Sequence, residues 1–239
     1  GYNYSESDRQ RLRMLYAEEV AWTDRQLGDF IAGVEQALSA RNWILVVTAD
    51  HGEMLGEHDI DFNHHGIYED AIQVPLVIVA KGVDLPTGSV TQQVRLMDIS
   101  TTILGMVGLE DSTLGAGYDL REIAEGPDAL GIASLLMGRK SRSLSMGTVY
   151  GARAPFRDGS ERMKYIRDED QGEQLFEVYS DPEESVNLAA GSSPLVTEGG
   201  EVLELLRDLV EGRVDLEVEQ EPSVDDDVRE ALEAIGYVE

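Results

Sequence analysis

The run Ile44-Leu45-Val46-Val47-Thr48-Ala49-Asp50-His51-Gly52-Glu53, followed by Asn63-His64-His65-Gly66-Ile67-Tyr68-Glu69, carries the reading of this chain. A β-branched apolar run of this kind reads as a strand, and it ends abruptly in a carboxylate and an imidazole. Gly52 then lets the backbone turn away. In open α/β sheets functional groups collect at the carboxyl edge, which is where Asp50 and His51 fall. A hard oxygen and an imidazole nitrogen adjacent in sequence can reach one divalent cation. His64 and His65 follow 13 and 14 residues after His51, close enough to fold back over the same place, and His58 lies between them. All 4 histidines of the chain stand in this one window.

Taken alone, Asp-His-Gly is as well explained by a turn, because Asp and Gly both favour turns. The longer string decides. Asp50-His51-Gly52-Glu53-Met54-Leu55-Gly56-Glu57-His58, then His65-Gly66-Ile67-Tyr68-Glu69-Asp70, then Val74-Pro75-Leu76-Val77-Ile78, resembles the sulfatase branch of the alkaline phosphatase superfamily. That family's strand ends in S/T-D-H-G-E-x-L-G-E-H, with an H-G or K-G loop, a Y-E-E helix and an R-V-P-L strand behind it. Gln93–Leu104 is similar to its V-x-L-x-D-I-x-P-T-L-L helix start. Met163–Ile166, Glu173–Glu184 and Asn187–Ala189 are similar to its closing motif K-Y-I…E-L-Y-D-L-x-x-D-P-x-E-x-x-N-L. Leu232–Tyr237 resembles the L-x-x-L-G-Y of many family C-termini, so the true C-terminus is expected to be present.

The resemblance implies a fold and a site. The expected fold is an α/β, alkaline-phosphatase-like sheet with helices on both faces over residues 1–144. A small α+β C-terminal subdomain with an antiparallel sheet is expected over 145–239. Asp50 and His51 match two metal ligands of the family, holding one divalent ion. Many family members bind Ca²⁺, but an imidazole in the shell favours Mn²⁺ or Zn²⁺. His65 matches the position that contacts the sulfate or phosphate group, where it would neutralise charge or protonate the leaving oxygen. His64 is a second candidate for substrate contact, and His58 for a supporting role. Glu53 has two readings, orienting His51 or accepting a proton, and opening a helix. Tyr68, Glu69 and Pro75 read as architectural, Asp181-Pro182 as a turn and Asn187 as a cap. Arg153, Arg157 and Lys164 are the basic groups of the tail that could meet an anionic substrate, with ordinary surface charge the preferred reading for each.

The family's nucleophile motif C/S-x-P-x-R has no counterpart, and its first metal-binding aspartates have none either. The nearest string, Ala152-Arg153-Ala154-Pro155-Phe156-Arg157, has Ala where the nucleophile would stand, and the chain contains no cysteine. The expectation is therefore the C-terminal portion of a larger enzyme, inactive alone. Its partners would be the N-terminal part of the same protein, which would carry a formylglycine, and a small-molecule or glycan sulfate ester. A phosphoester hydrolase, a phosphoethanolamine transferase or a non-catalytic module of the same superfamily are the alternatives.

Composition bounds the rest. At 239 residues and 42% hydrophobic, the chain is long enough to bury a core. A formal charge of −28 with Lys81, Lys140 and Lys164 as the only lysines argues against nucleic acid, whose phosphates need a basic face. Solubility or a salt-rich habitat explains that acidity better than an acidic binding tail. No run reaches the roughly 18 apolar residues of a membrane helix. A helix over 7–40 is expected to bury the stripe Leu12, Leu15, Val20, Leu27, Ile31, Val34 and Leu38. Strands are expected at 44–49 and 74–80, the latter a buried run. Short helices follow near 67–72 and 98–107, then an irregular stretch over 108–144. Antiparallel strands come next at Met146–Tyr150, Met163–Arg167 and Gln174–Tyr179. Helices over 194–212 and 225–236, either side of an acidic linker, complete the tail.

Overall fold

Ser5 opens the first helix because its hydroxyl accepts from the Asp8 amide at 3.2 Å while the Asp8 carboxylate takes the Ser5 amide at 3.0 Å. This reciprocal cap satisfies two amides that a helix start otherwise leaves orphaned. The computed structural model describes residues 4–90, 92–109, 117–125, 134–139, 148–154, 163–168, 171–189 and 193–214. The expected helix 225–236 lies outside them. From the cap, α1 runs Glu6–Ala37, close to the expected 7–40. The expected burial of its apolar stripe is corrected by the structure. No residue of α1 is buried, and Leu15 and Val20 are 50% and 51% exposed. Helical periodicity shows that a stripe exists; burying it takes a surface on the other side, and the described residues leave every position of it at least partly exposed.

β1 (Trp43–Thr48) pairs with β4 (Leu76–Lys81) as antiparallel neighbours, Trp43 opposite Lys81 and Thr48 opposite Leu76. The expected burial of the second strand does not hold. Along β4 exposure alternates, with Val77 at 51% and Val79 at 41%, because the two-stranded ribbon carries no described layer over that face. Between these strands lie β2 (Met54–Leu55), a single 3₁₀ turn at Glu57–Asp59, β3 (Asp61–Asn63) and the short helix α2 (Glu69–Ile72). α3 (Leu96–Met106) and α4 (Leu120–Glu125) follow. Asp98 on α3 is fully buried, accepting from Arg95 Nη2 at 2.7 Å and from the Tyr118 amide at 2.9 Å.

The closed core lies around the second sheet. β5 (Ser134–Arg139), β6 (Thr148–Ala154), β7 (Met163–Asp168) and β8 (Gly172–Glu177) form an antiparallel meander in sequence order. β5 falls inside the stretch expected to be irregular, and on the N-terminal side of residue 144. Its Gly138 weakens the strand signal, and the reason for that glycine is tertiary. The period of two sorts this sheet into two faces. Ala152, Met163, Tyr165 and Leu175 turn to one face and pack with Leu203 of α5 (Pro194–Val214). Val149, Ile166 and Phe176 turn to the other, against Met54, Ile60, Ile67, Tyr68 and Ala71. The long loop after β1 is thus the second layer of the sheet. Gly138 and Gly151 permit that approach: a Cβ there would lie 2.6 Å from the Gly66 carbonyl oxygen and 2.7 Å from Ile67 Cδ1, respectively. No helix among the described residues is long and apolar enough to cross a membrane.

Candidate metal centre

The turn after β1 is fixed by the close approach of α2. The Gly52 amide donates to the Ala71 carbonyl at 2.7 Å, and any Cβ at Gly52 would overlap the Asp70 carbonyl oxygen. Asp50 and His51 are thereby held on the last residues before a pinned backbone. Asp50 Oδ1 accepts from the His51 amide at 3.0 Å. His51 Nδ1 lies 2.8 Å from the Gly52 carbonyl oxygen, and a carbonyl can only accept, so the proton sits on Nδ1. The lone pair is then on Nε2, 3.7 Å from Asp50 Oδ2. This arrangement, a backbone carbonyl fixing the tautomer of a ligating imidazole, is common behind bound metals. Two bonds of about 2.0–2.2 Å span such a separation, so the pair fits a divalent ion.

The loop brings two more donors to this point. The His64 ring stacks on His51 with centroids 4.1 Å apart and planes inclined by 23°. One ligand atom from each of His51, Glu53 and His64 lies within 4.8 Å of the others. His65 stands edge-on to His64 at 5.2 Å, its amide donating to Asn63 Oδ1 at 2.8 Å. The structure thus gathers His51, His64 and Glu53 directly, with Asp50 beside His51 and His65 reached through His64. For Glu53 the expectation is to orient His51, to accept a proton or to open a helix; the structure instead sets its carboxylate among the possible metal donors and starts strand β2, not a helix, at the next residue. His58 turns elsewhere, stacked on Tyr68 at 3.7 Å and 4°. His58 and Asp59 have φ of 51° and 57°, left-handed values that strain non-glycine residues and cluster at functional loops.

Beneath the loop is a buried charged group. Lys164 on β7 is fully buried, as are Glu69 and Glu184 almost completely. Lys164 Nζ donates to the Ile67 carbonyl at 2.8 Å and to Glu69 Oε1 at 3.0 Å, and sits 2.5 Å from Glu184 Oε1. Glu184 Oε2 accepts the Glu69 amide at 2.6 Å, and Arg153 Nη1 pairs with Glu69 Oε2 at 2.9 Å. Two carboxylates and two cations balance. The expectation that Lys164 and Arg153 are ordinary surface charges is therefore corrected, and so is the alternative of substrate contact: their charges are paired with buried carboxylates. Arg157 lies outside the described residues. Burial pushes the Glu184 carboxyl above its ordinary value, against the pull of Lys164. Burial and then the neighbouring Glu57 raise Asp70 likewise. Sequence gave no sign of this network, because its members stand 95 and 115 residues apart.

A family model described as Sulfatase matches residues 1–109. Arylsulfatase K of Bos taurus is 27% identical over 197 residues, 78% of this chain and 35% of its own. The chain thus spans about a third of that relative's length. Among solved structures, the phosphonate monoester hydrolase of Agrobacterium radiobacter superposes with a TM-score of 0.62 at 24% identity, over 87% of this chain and 43% of its own. A protein solved in complex with its substrate D-glucosamine-2-N,6-O-disulfate superposes with a TM-score of 0.52 at 23% identity, over 74% of this chain and 36% of its own. At those identities the likeness is one of fold, and it agrees with the expected α/β class.

Proposed function

We propose that the chain is a member of the sulfatase family and forms the metal-binding end of a sulfate-ester hydrolase, a reading supported by the family model and the arylsulfatase relative. One observation carries this reading: Asp50 Oδ2 and His51 Nε2 stand 3.7 Å apart at the end of a strand, with Nδ1 of the same imidazole already used. Asp50 and His51 would hold one divalent ion, Mn²⁺ or Zn²⁺ fitting this mixed shell better than Ca²⁺. When bound, the ion supplies positive charge to a sulfate oxygen and to the attacking group. His65, and His64 with it, would face the anionic group from the loop. Loss of the ester's alcohol requires a proton on the leaving oxygen, which an imidazolium at His65 delivers while offsetting negative charge.

A formylglycine nucleophile would derive from a cysteine outside residues 1–239, since the chain has none. The substrate class is a small-molecule or glycan sulfate ester. The exposed apolar residues of α1 and β4 are assigned to contact with further parts of the same protein. Residues 1–144 are read as belonging to the catalytic α/β domain and 145–239 as a subdomain, with β5 reaching across that division into the smaller sheet. A phosphoester hydrolase is the second reading, favoured by the imidazole in the shell and by the fold likeness to a phosphonate monoester hydrolase.

The test is turnover of an aryl sulfate and an aryl phosphate by the full-length protein, before and after chelation and metal restoration. Metal-dependent sulfate release supports the proposal. Release of phosphate alone moves the assignment to the second reading, and hydrolysis of neither ester overturns both.

A further inference from the structure

The segment that follows His65 is gripped unusually hard for a loop. Gly66 lies in a left-handed conformation, φ 104°, with its carbonyl against Gly138 of β5. The Ile67 side chain is 2% exposed, and its carbonyl accepts from Lys164 Nζ at 2.8 Å. Two residues on, the Glu69 amide donates to Glu184 and the Glu69 carboxylate meets both Lys164 and Arg153. A fully buried ammonium has many ways to be satisfied. Here one of its three contacts is to loop backbone, two residues from His65.

Resting on the function proposed above, we propose that Lys164, seated on Glu69 and Glu184, is a positioning residue that sets where the loop places His65 over the metal end of β1. Lys164 touches neither metal ligand nor substrate. It acts through the Ile67 carbonyl, and its cation is compensated so that the contact is made in a dry, low-dielectric layer where it is strongest. Asp50 and His51 lie on the strand end and meet the gripped segment through the Gly52–Ala71 hydrogen bond rather than through Lys164 itself, so metal content is predicted to fall far less than the rate. A displacement of about 1 Å at a reacting group costs on the order of 10²-fold in rate.

The test uses the full-length protein and the charge-balanced double variant Lys164→Met/Glu184→Gln, which leaves Arg153 paired with Glu69. The milder Glu184→Gln is read in the same way, so the outcome does not hang on one variant folding. Lys164→Arg keeps the cation. Leu203→Ala removes an equally buried side chain from the opposite face of the sheet and controls for lost stability.

The proposal expects kcat for an aryl sulfate to fall by roughly 10²-fold with KM and metal content nearly unchanged, and amide exchange over residues 63–69 to rise. Lys164→Arg should recover part of kcat, and Leu203→Ala should keep it. Wild-type kcat and wild-type exchange in the double variant would overturn the proposal, as would an equal loss of kcat in Leu203→Ala. If the full-length protein hydrolyses no sulfate ester, the functional reading fails separately and the exchange measurement alone decides whether Lys164 holds the loop.

Discussion

The ribbon of β1 and β4 and the sheet of β5 to β8 are both apolar in sequence, yet only the second makes a core. On the ribbon Val77 and Val79 are 51% and 41% exposed, and on α1 Met14 and Phe30 are both 61% exposed. On the meander Tyr165, Leu175 and Ala152 are completely buried, between α5 on one face and the site loop on the other. The difference is coverage rather than composition. A strand contributes two faces, and each is buried only if another layer lies on it. The candidate site straddles this divide: Asp50 and His51 come from the open ribbon, while His64 and His65 come from a loop seated on the closed sheet.

The strongest way to break this contrast is to ask whether the two regions suffice for chemistry. Residues 1–239 alone should turn over neither aryl sulfate nor aryl phosphate, since they supply no cysteine and only part of a metal shell. Robust metal-dependent hydrolysis by this chain would show that the ribbon's end is a complete site.

Next in size are substitutions on either side of the divide in the full-length protein. Asp50→Ala and His51→Ala should abolish turnover and lower bound metal together, as measured by kinetics with elemental analysis. His65→Ala should reduce kcat by roughly 10²–10⁴-fold with the metal retained. If His65→Ala loses the metal as His51→Ala does, the loop histidine is a ligand and the division of labour collapses.

Stability gives a smaller but cleaner contrast, read by chemical denaturation of the 239-residue chain. Lys164→Met leaves two buried carboxylates facing one cation and should cost about 3–5 kcal/mol. Leu175→Ala should cost about 2–5 kcal/mol, because Leu175 is completely buried. Val79→Thr on the open ribbon should stay within about 0.5 kcal/mol. A large loss at Val79 would mean that its face is covered in solution.

The smallest expected effect is a pH slope set mainly by carboxylates buried beneath the loop. Burial raises Glu184 above 4.5 and Asp70 above 3.8, so the folded state holds these protons longer than the unfolded chain does. Their contribution to stability therefore falls as pH rises from those ordinary values through the raised ones. Asp119 is lowered by its hydrogen bonds to Arg121 and acts in the opposite sense, losing stability as pH falls below 3.8. Denaturation across this range should show a shallower decline above pH 4.5 in Glu184→Gln than in the wild type. An unchanged slope would mean that Glu184 titrates as it does when unfolded.

Where the chemistry is local, the sequence carried it. The end of β1 at Asp50-His51, the return of the histidine pair, the span of α1 and three of the four meander strands follow from periodicity, turn chemistry and the family resemblance. β5 escaped because its signal includes Gly138, whose purpose is to admit Gly66 and Ile67 from far along the chain. Glu53 escaped a firm role because one carboxylate past a turn has a bland use as well as a chemical one. Lys164 was misplaced on the surface because lysines are seldom buried, and the pattern that would reveal this one, two distant glutamates and a carbonyl, has no spacing rule.

The sequence by itself determined which side chains stand at the end of β1, because neighbours in the chain are held at bond-length range whatever the rest of the fold does. Only the tertiary structure decided which apolar faces are covered, which glycines admit a neighbouring backbone, and which charges are paired in the dark beneath the loop. Burial and electrostatic compensation depend on atoms brought together from opposite ends of the chain, and no local pattern encodes the distance between them.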